Sequence, residues 1–266
     1  MKLNDNIFRA NDIRGVAFED LSQDVVFALG KALGTESIDR KQEDFIIGRD
    51  GRASSPQLFE WLSEGVLSTG CNVTDIGIVP SPVFYHSTFN LNSSSGVVIT
   101  GSHNPADYNG FKILFHNNST SSQEIQSIKK RIKEQDFLTG KGNIKSLDVL
   151  ESYVEKVTND VELYRPLNIS IDCGNGAAGV VAERIYKDLG CEVEGLFCDL
   201  NGKFPNHHPD PSKPENVEDL IKSVLKNNSE IGLAFDGDAD RLGVISPSGE
   251  MIFPDMQMII FSQHIL

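Results

Sequence analysis

The chain has few residues of the kinds that mark secreted, membrane-spanning or nucleic-acid-binding proteins. Its 266 residues include four cysteines, one tryptophan, and 24 lysines and arginines against 38 aspartates and glutamates. The formal net charge of −14 disfavours nucleic acid and anionic membranes as partners. No apolar run approaches the roughly 18 residues that a membrane-spanning helix needs, and the N-terminal MKLNDNIFRAND lacks the apolar stretch of a signal peptide. We therefore expect a cytoplasmic protein that binds neither nucleic acid nor membrane.

The four cysteines follow no pattern that would indicate a disulfide framework or a metal site. Cys71, Cys173, Cys191 and Cys198 form no CxxC pair and have no histidine at ligand spacing. The sequence therefore predicts reduced and mostly buried thiols, as in a cytosolic protein.

Short apolar runs alternate with amphipathic stretches, which is typical of an α/β fold with a mostly parallel sheet. Strands are predicted at residues 45–47, 73–78, 96–100, 110–115, 168–172, 192–197, 231–235 and 242–245. Helices are predicted at residues 56–68, 124–135, 147–160, 179–189 and 217–227. At roughly 150 residues per domain, the length suggests two domains. The polar segment 139–145 places their boundary near residue 150.

The last residues differ from the rest of the chain. Pro254 and Asp255 resemble a helix start, and the sequence MQMIIFSQHIL that follows is apolar on most faces. A helix of this composition needs a partner surface. We expect that surface to come from another subunit or, preferably, from a further domain of a longer protein.

The hexapeptide TGSHNP sets Ser102 beside His103 at the end of a predicted buried strand, where Gly101 and Pro105 enforce a turn. A Ser-His pair suggests a hydrolase triad. Adjacent residues in one turn, however, rarely bring the histidine nitrogen to the serine oxygen, and no G-x-S-x-G elbow or third residue is indicated. The alternative is a phosphate held by the serine and by backbone N–H groups of the turn.

The segment DGDADR sets three carboxylates after another predicted strand. Asp236, Asp238 and Asp240 alternate with small residues and precede Arg241. Three anions this close repel one another unless a cation neutralises them, and carboxylates on a short loop suit Mg²⁺. An EF-hand is excluded because Arg241 and Pro247 stand where that loop needs glycine and glutamate. The alternatives are a solvated acidic turn and a phosphatase with an aspartate nucleophile.

The sequence DCGNGAAG, between a predicted strand and a predicted helix, matches the glycine pattern of dinucleotide-binding folds. Glu192 or Glu194 follows about 20 residues later, where such folds carry a ribose-binding acid. An NAD-binding module is therefore one hypothesis. The preferred interpretation is a tight strand-to-helix turn, which any α/β unit needs.

Four motifs occur in order along nearly the whole chain: RANDIRG at residues 9–15, TGSHNP at 100–105, FPNHHPDPSKPEN at 204–216 and DGDADR at 236–241. Together they resemble the α-D-phosphohexomutase family, in its bacterial phosphomannomutase/phosphoglucomutase branch. Family members have four domains around a central cleft. The resemblance therefore implies two consecutive mixed-sheet α/β domains and the start of a third. Domain I, with the phosphoserine loop, is expected at residues 1–150, domain II, with the metal-binding loop, at 151–254, and a truncated domain III at 255–266.

The resemblance also implies an activity, that of an isomerase moving a phosphoryl group between C1 and C6 of a hexose phosphate. Ser102 would be the phosphoserine. Mg²⁺ would be held by Asp236, Asp238, Asp240 and a phosphate oxygen on Ser102, and would neutralise charge during transfer. A hexose 1,6-bisphosphate would be the intermediate and activator.

Further residues receive roles from the same resemblance. Lys112, in GFK after the serine turn, resembles the family's candidate general base. Arg14, His103 and Arg241 would position and neutralise phosphate, and Asn104 would help to position the site. A simple turn residue at His103 and a solvated strand residue at Lys112 stay open as alternatives.

Two departures from the family pattern affect what we expect. Asn11 stands where the family usually has a tyrosine before DIRG, which bears on packing near the cleft. Sugar recognition and substrate-phosphate binding are expected on domains III and IV, which this chain lacks apart from the start of domain III. We therefore expect little mutase activity from these residues alone. The expected substrates are mannose or glucose 1- or 6-phosphate, with a phosphoglucosamine mutase as the alternative.

Two remaining segments are expected to be structural. Arg49, Asp50 and Arg52 in IGRDGR predict an ion-pair network under the serine turn. His207 and His208 in HHPDP have no acidic partner at ligand spacing, so they predict an ordered loop between the domains rather than a metal site.

Overall fold

The computed structural model describes residues 3–265 of the chain, which divides into two compact units, residues 1–149 and 150–266. Each unit is built around one β-sheet with helices packed against it. The predicted α/β class is confirmed in both units. Both sheets are mixed, as the family resemblance implies, rather than mostly parallel.

The first unit holds seven of the strands and four of the α-helices that the described residues form. Its strands are Ile13–Val16 (β1), Asp44–Arg49 (β2), Asn72–Ile78 (β3), Gly96–Ile99 (β4), Tyr108–Phe115 (β5), Asn118–Ser119 (β6) and Ile144–Ser146 (β7). Its helices are Gln23–Asp39 (α1), Ser55–Leu67 (α2), Ser81–Asn90 (α3) and Ser122–Glu134 (α4).

The strands of the first unit pair in the order β1-β5-β4-β2-β3-β7, and β6 pairs with β5. The four strands β4, β2, β3 and β7 are parallel, whereas β5 is antiparallel to both β4 and β1. All four residues of β4 are buried, as expected for a strand covered on both faces. The main core joins Ile47 and Phe111 of the sheet to Leu29 of α1, Leu62 of α2 and Ile128 of α4.

Several elements of the first unit differ from the sequence prediction, because β1, α1, α3 and β6 are absent from it and β7 lies where it has a connection. Helix α1 contains Gly30, and glycine is a poor helix former. Gly30 lies so close to the Leu62 carbonyl of α2 that a Cβ would clash. This close helix packing outweighs the low helix propensity of glycine. The segment predicted as a polar connection ends instead in β7, where Lys145 pairs with Thr74 of β3. The following helix therefore starts at Leu150 rather than at residue 147.

The second unit holds the remaining strands and helices of the described residues. Its strands are Asn168–Asp172 (β8), Glu192–Leu196 (β9), Ile231–Phe235 (β10), Leu242–Ile245 (β11) and Met251–Ile252 (β12). Its helices are Leu150–Asp160 (α5), Ala182–Asp188 (α6), Glu218–Asn227 (α7) and Pro254–Ile265 (α8). The strand order is β12-β11-β10-β8-β9, with β8 parallel to β9 and β10, and β11 antiparallel to β10 and β12.

Helix α8 exposes apolar side chains. Met258, Ile260 and Phe261 are each about half exposed or more, as the sequence indicated for a helix that needs a partner surface. The assignment of residues 255–266 to a third domain stays a prediction, and Leu266 lies outside the described residues. Among residues 3–265, no helix has both the length and the apolar character needed to span a membrane.

Candidate active site

The serine loop, residues 100–105, leaves the buried end of β4, and its N–H groups bond to side chains and to its own backbone. Ser102 is only 2% exposed and has a φ of 48°, in the left-handed region that non-glycine residues rarely adopt. Its N–H donates to Thr100 Oγ1 at 2.8 Å. The N–H of Gly101 donates to Asp50 Oδ2 at 3.2 Å, and that of Asn104 donates to the Gly101 carbonyl at 2.9 Å. These three amides are used within the unit, so contact of other N–H groups of the turn with a phosphate stays a prediction.

The serine and histidine side chains are close after all. His103 Nδ1 lies 3.3 Å from Ser102 Oγ, whereas the sequence analysis expected adjacent residues in one turn to keep these atoms apart. The left-handed backbone at Ser102 is the local feature that distinguishes this turn from an ordinary one. A histidine nitrogen is therefore within reach of the candidate phosphate carrier.

The Arg52 guanidinium is fully buried and binds the carbonyl groups of the serine loop. It donates to the carbonyls of Ser102 and Asn104, both at 2.7 Å, and of Pro105 at 2.5 Å. Its Nε also lies 3.2 Å from Asp50 Oδ2. The planar fork of arginine suits such multiple contacts.

The predicted network beneath the loop is confirmed for Asp50 and Arg52, but not for Arg49. Burial raises the pKa of the Asp50 carboxyl, against the lowering effect of the Arg52 charge and of the Ser55 hydroxyl, which donates at 2.7 Å. Arg49 instead pairs with Asp75 at 2.7 Å, away from the loop carbonyls that Arg52 binds. The serine loop is therefore held by one buried ion pair.

Strand β5 brings two further candidates to one face of the first sheet. Arg14 of β1 lies opposite Gly110 of β5, and Lys112 of β5 lies opposite Val98 of β4. Because alternate residues of a strand point to the same face, Arg14 and Lys112 share a face. Phe111, which lies between Gly110 and Lys112 in β5, packs in the core on the other face.

Lys112 also lines a cavity of about 470 Å³ in the first unit, together with Asn11, Asp12 and Tyr85. Arg14 is tied to this wall because it donates to Asp12 at 2.6 Å. Asn11, which replaces the usual family tyrosine, thus lies at the cavity that holds the candidate base.

The acidic loop, residues 236–241, follows β10 in the second unit. One oxygen each from Asp236, Asp238 and Asp240 lie within 4.8 Å of one another. Asp236 and Asp238 are fully buried, and Asp236 Oδ1 accepts the N–H groups of Asp240 and Arg241, both at 3.1 Å. Ala239 has a φ of 59°. Like charges this close inside a protein repel strongly, so the three oxygens fit a hard divalent cation.

The glycine-rich segment after β8 does not form a dinucleotide site of the usual kind. The predicted helix 179–189 is wrong at its start, because Ala177–Val180 form a 3₁₀ turn and α6 begins only at Ala182. A dinucleotide fold needs a helix N-terminus directly at the glycines. The preferred interpretation, a structural turn, agrees with this geometry.

The sequence analysis missed one buried ion pair beside that turn. His207 Nε2 lies 2.9 Å from Asp172 Oδ2, an acidic partner that the fold supplies from 35 residues away in the sequence. Burial lowers the pKa of His207, but the hydrogen bond and charge of Asp172 outweigh burial and raise it above its usual value. The HHPDP segment therefore contacts the end of β8 within the second unit, and its interpretation as a loop between the domains stays a prediction. Only the repeated histidines gave a signal in the sequence.

Comparison with known proteins agrees with this geometry. Residues 5–139 match the family described as phosphoglucomutase/phosphomannomutase, alpha/beta/alpha domain I, and residues 151–249 match domain II of that family. A phosphomannomutase/phosphoglucomutase of Pseudomonas putida is 46% identical over 264 residues, covering 99% of this chain and 57% of that protein. A phosphoglucomutase of Neisseria meningitidis serogroup B is 43% identical over 263 residues, covering 98% and 57%.

A solved structure has the same fold throughout. The crystal structure of a phosphoglucomutase/phosphomannomutase family protein from Burkholderia thailandensis matches with a TM-score of 0.96 and 43% identity, covering 100% of this chain and 60% of that one. The two units are thus mixed-sheet α/β domains of the phosphohexomutase type. The chain belongs to the phosphoglucomutase/phosphomannomutase family, and it spans a little over half the length of the relatives it matches.

Proposed function

We propose that the whole protein is a phosphohexomutase that moves a phosphoryl group between C1 and C6 of a hexose phosphate, with Ser102 as the carrier. The observation that carries this proposal is the serine loop. A nearly buried serine with a left-handed backbone stands 3.3 Å from a histidine nitrogen, above a buried guanidinium. Such a loop fixes one hydroxyl group in place, as phosphoryl transfer requires.

The proposed transfer starts from phosphorylated Ser102. A sugar hydroxyl oxygen attacks the phosphorus, the bond from phosphorus to Ser102 Oγ breaks, and Lys112 accepts the proton of the attacking hydroxyl. His103, with Nδ1 3.3 Å from Oγ, supplies a proton to the departing serine oxygen. The reverse sequence returns the other phosphoryl group of the hexose 1,6-bisphosphate to Ser102.

The acidic loop is the proposed metal site. Asp236, Asp238 and Asp240 would hold Mg²⁺ together with a phosphate oxygen on Ser102, and the ion would supply positive charge against the phosphoryl group. The close grouping of the three carboxylate oxygens supports this assignment. Arg14 and Arg241 contribute further positive charge for substrate phosphates, and Asn104, which also donates from its side chain to the Gly101 carbonyl at 2.9 Å, keeps the serine loop in shape.

The proposed substrates are mannose and glucose 1- and 6-phosphates, because the relatives carry the names of both mutases. We place the reaction in the cytoplasm. Since this chain spans 57% of those relatives, we propose that domains III and IV of the whole protein complete the site. The 266 residues alone should therefore interconvert hexose phosphates far more slowly than the relatives do.

The carrier is tested on the whole protein, with domains III and IV, by intact mass measurement and peptide mapping before and after incubation with glucose 1,6-bisphosphate and Mg²⁺. We expect a single phosphate on Ser102, and none in Ser102→Ala. An Asp238→Asn variant should load the same serine more slowly, because it lacks a ligand to the metal. A phosphate on an aspartate of the acidic loop would instead support a phosphatase, and an unmodified Ser102 would contradict the proposal.

A further inference from the structure

Two of the four thiols are neighbours in space although 25 residues separate them in the sequence. Cys198 Sγ lies 3.6 Å from Cys173 Sγ. The parallel strands β8 and β9 bring them together, since Asp172 pairs with Leu196 and the N–H of Cys173 donates to the Leu196 carbonyl at 3.1 Å. A spacing that shows no motif in the sequence thus gives a thiol pair in the fold.

The surroundings of Cys198 leave room for its sulfur and give it access to solvent. A Cβ at Gly195 would come within 2.9 Å of Cys198 Sγ, so the glycine at this position keeps the space beside the sulfur open. Cys198 is partly exposed, whereas Cys173 is buried. A small oxidant therefore reaches Cys198 first.

The contact between the sulfurs also makes the two thiols unequal. The contact with the Cys173 sulfur lowers the pKa of Cys198 and outweighs burial, while the same contact together with burial raises the pKa of Cys173. By contrast, burial raises the pKa of Cys71 to about 12. Because Cys198 is the thiol of the pair that reaches solvent, and because the thiolate is the reactive form, Cys198 is the attacking sulfur and Cys173 is the thiol that resolves the product.

We propose that Cys198 and Cys173 are a reversible oxidation site that a peroxide converts to a disulfide. The Cys198 thiolate attacks a peroxide oxygen, the O–O bond breaks, and the hydroxide that leaves takes a proton to become water. The Cys173 sulfur then attacks the Cys198 sulfenic acid, the S–O bond breaks, and a second water leaves with the Cys173 proton. Two thiols supply the two electrons that reduce one peroxide to two waters.

The oxidation site is connected to the acidic loop by two consecutive hydrogen bonds. The Cys173 carbonyl accepts the N–H of Gly176 at 2.8 Å, and the next N–H, of Ala177, donates to the Gly237 carbonyl at 2.9 Å. Gly237 lies between two of the candidate metal ligands. A disulfide brings its sulfurs to about 2.05 Å, so its formation displaces the turn that contacts Gly237. Oxidation therefore weakens metal binding, a consequence that rests on the proposed metal site.

The disulfide is tested on the 266-residue chain without reference to activity. The reduced protein is treated with hydrogen peroxide, remaining thiols are alkylated, and peptides are mapped without reduction. We expect a Cys173–Cys198 link, with Cys71 and Cys191 alkylated, and recovery of both thiols after dithiothreitol. Cys191→Ser should keep the link, and Cys198→Ser should abolish it. Alkylated Cys173 and Cys198, a link between two chains, or oxidation that dithiothreitol does not reverse would overturn the proposal.

The connection to the acidic loop is tested with Mn²⁺ as the probe, followed by the electron paramagnetic resonance of the free ion. We expect the oxidised chain to bind Mn²⁺ about fivefold more weakly, or weaker still, than the reduced chain. Equal affinities would overturn the connection. If the reduced chain does not bind Mn²⁺, both the proposed metal site and its connection to the thiol pair are overturned. The disulfide found by peptide mapping would not be affected.

Discussion

In the first unit the serine loop turns its carbonyl groups inward to Arg52, whereas in the second unit the acidic loop turns N–H groups inward to Asp236. Both loops follow a strand, and both contain one non-glycine residue in the left-handed region, Ser102 and Ala239. The same left-handed backbone residue therefore occurs beside a buried cation, Arg52, in one loop and beside a buried anion, Asp236, in the other. A buried guanidinium favours negative charge on its loop, and a buried carboxylate favours a cation.

Arg52 and Asp236 also differ in whether they can bind a further ligand. Arg52 uses its guanidinium on loop carbonyls and on Asp50, so it shapes the serine loop and holds it in place. Asp236 accepts two N–H groups on Oδ1 and still contributes an oxygen to the carboxylate group that fits a metal. One loop is therefore rigid before any ligand binds, and the other gains stability when a cation binds.

The largest expected effect on stability comes from removing the Arg52 guanidinium from beneath the serine loop. Arg52→Met leaves the buried Asp50 without its counter-ion and several loop carbonyls without their donor, so we expect the free energy of unfolding of the first unit to fall by about 3–5 kcal/mol. The single tryptophan, Trp61 in α2, reports this transition by fluorescence in urea.

A matched control is Arg184→Met, which removes an exposed ion pair with Glu151 in the second unit. It should leave the Trp61 transition unchanged. If Arg52→Met does not fold, Arg52→Lys keeps the charge but not the fork, and it should lower the urea midpoint. A midpoint like that of the wild type in either Arg52 variant would show that the loop does not depend on this side chain.

The acidic loop should respond in the opposite direction when its charge is reduced. Asp238→Asn removes a like charge from beside the buried Asp236, so the metal-free second unit should become more stable while Mg²⁺ affinity falls about tenfold or more. Thermal unfolding with and without Mg²⁺ measures both effects. Asp219→Asn, on the exposed face of α7, is the control and should change neither. A metal-free chain that is destabilised by Asp238→Asn would argue against repulsion in this loop.

The loops should also differ in their pH dependence, because the turn beside the acidic loop is held by His207 and Asp172 whereas Arg52 stays charged. The folded state raises the pKa of His207, so its contribution is complete below the unfolded pKa of about 6.5 and is lost as pH rises through the folded pKa. His207→Gln should therefore destabilise the second unit more at about pH 5.5 than at about pH 8.5. His208→Gln is the control. Equal losses at both pH values in urea titrations followed by circular dichroism would exclude this linkage.

The smallest expected effect concerns the left-handed residue that both loops contain. Ala239→Gly should stabilise the second unit by up to about 1 kcal/mol, because relief of the strained backbone slightly exceeds the entropy cost of glycine. Ala28→Gly, inside α1, should instead destabilise the first unit by about 1 kcal/mol. Calorimetry of both variants checks the sign. A loss of stability in Ala239→Gly would show that the Ala239 backbone is not strained.

Residue types allowed the positions of the two loops to be predicted better than the contacts within them. Three aspartates and a serine-histidine turn after apolar strands predicted both loops, because few structural needs place such residues together. The sequence could not predict that His103 would reach Ser102, because the backbone of Ser102 is left-handed only within the folded loop. It also could not pair His207 with Asp172, since 35 residues separate them.

Secondary structure could likewise be predicted where the local sequence determines it, and not where distant residues do. Buried strands such as β4 and β10 were confirmed because their apolar runs end at turn residues. Helix α1 was missed because glycine disfavours helices in isolation, and only its close contact with α2 gives Gly30 a use. Strand β7 is short and fully exposed, so no apolar pattern distinguishes it from a connection. Helix α1 and strand β7 depend instead on contacts with distant segments, α2 and β3.

The complete enclosure of Arg52 has a practical consequence for measuring motion. A dicarbonyl reagent modifies guanidinium groups from solvent, and the side chain of Arg52 has none of its surface exposed. Modification at this position therefore proceeds only during moments when the serine loop opens. The labelling rate of Arg52 in native buffer would thus give the frequency of such openings directly.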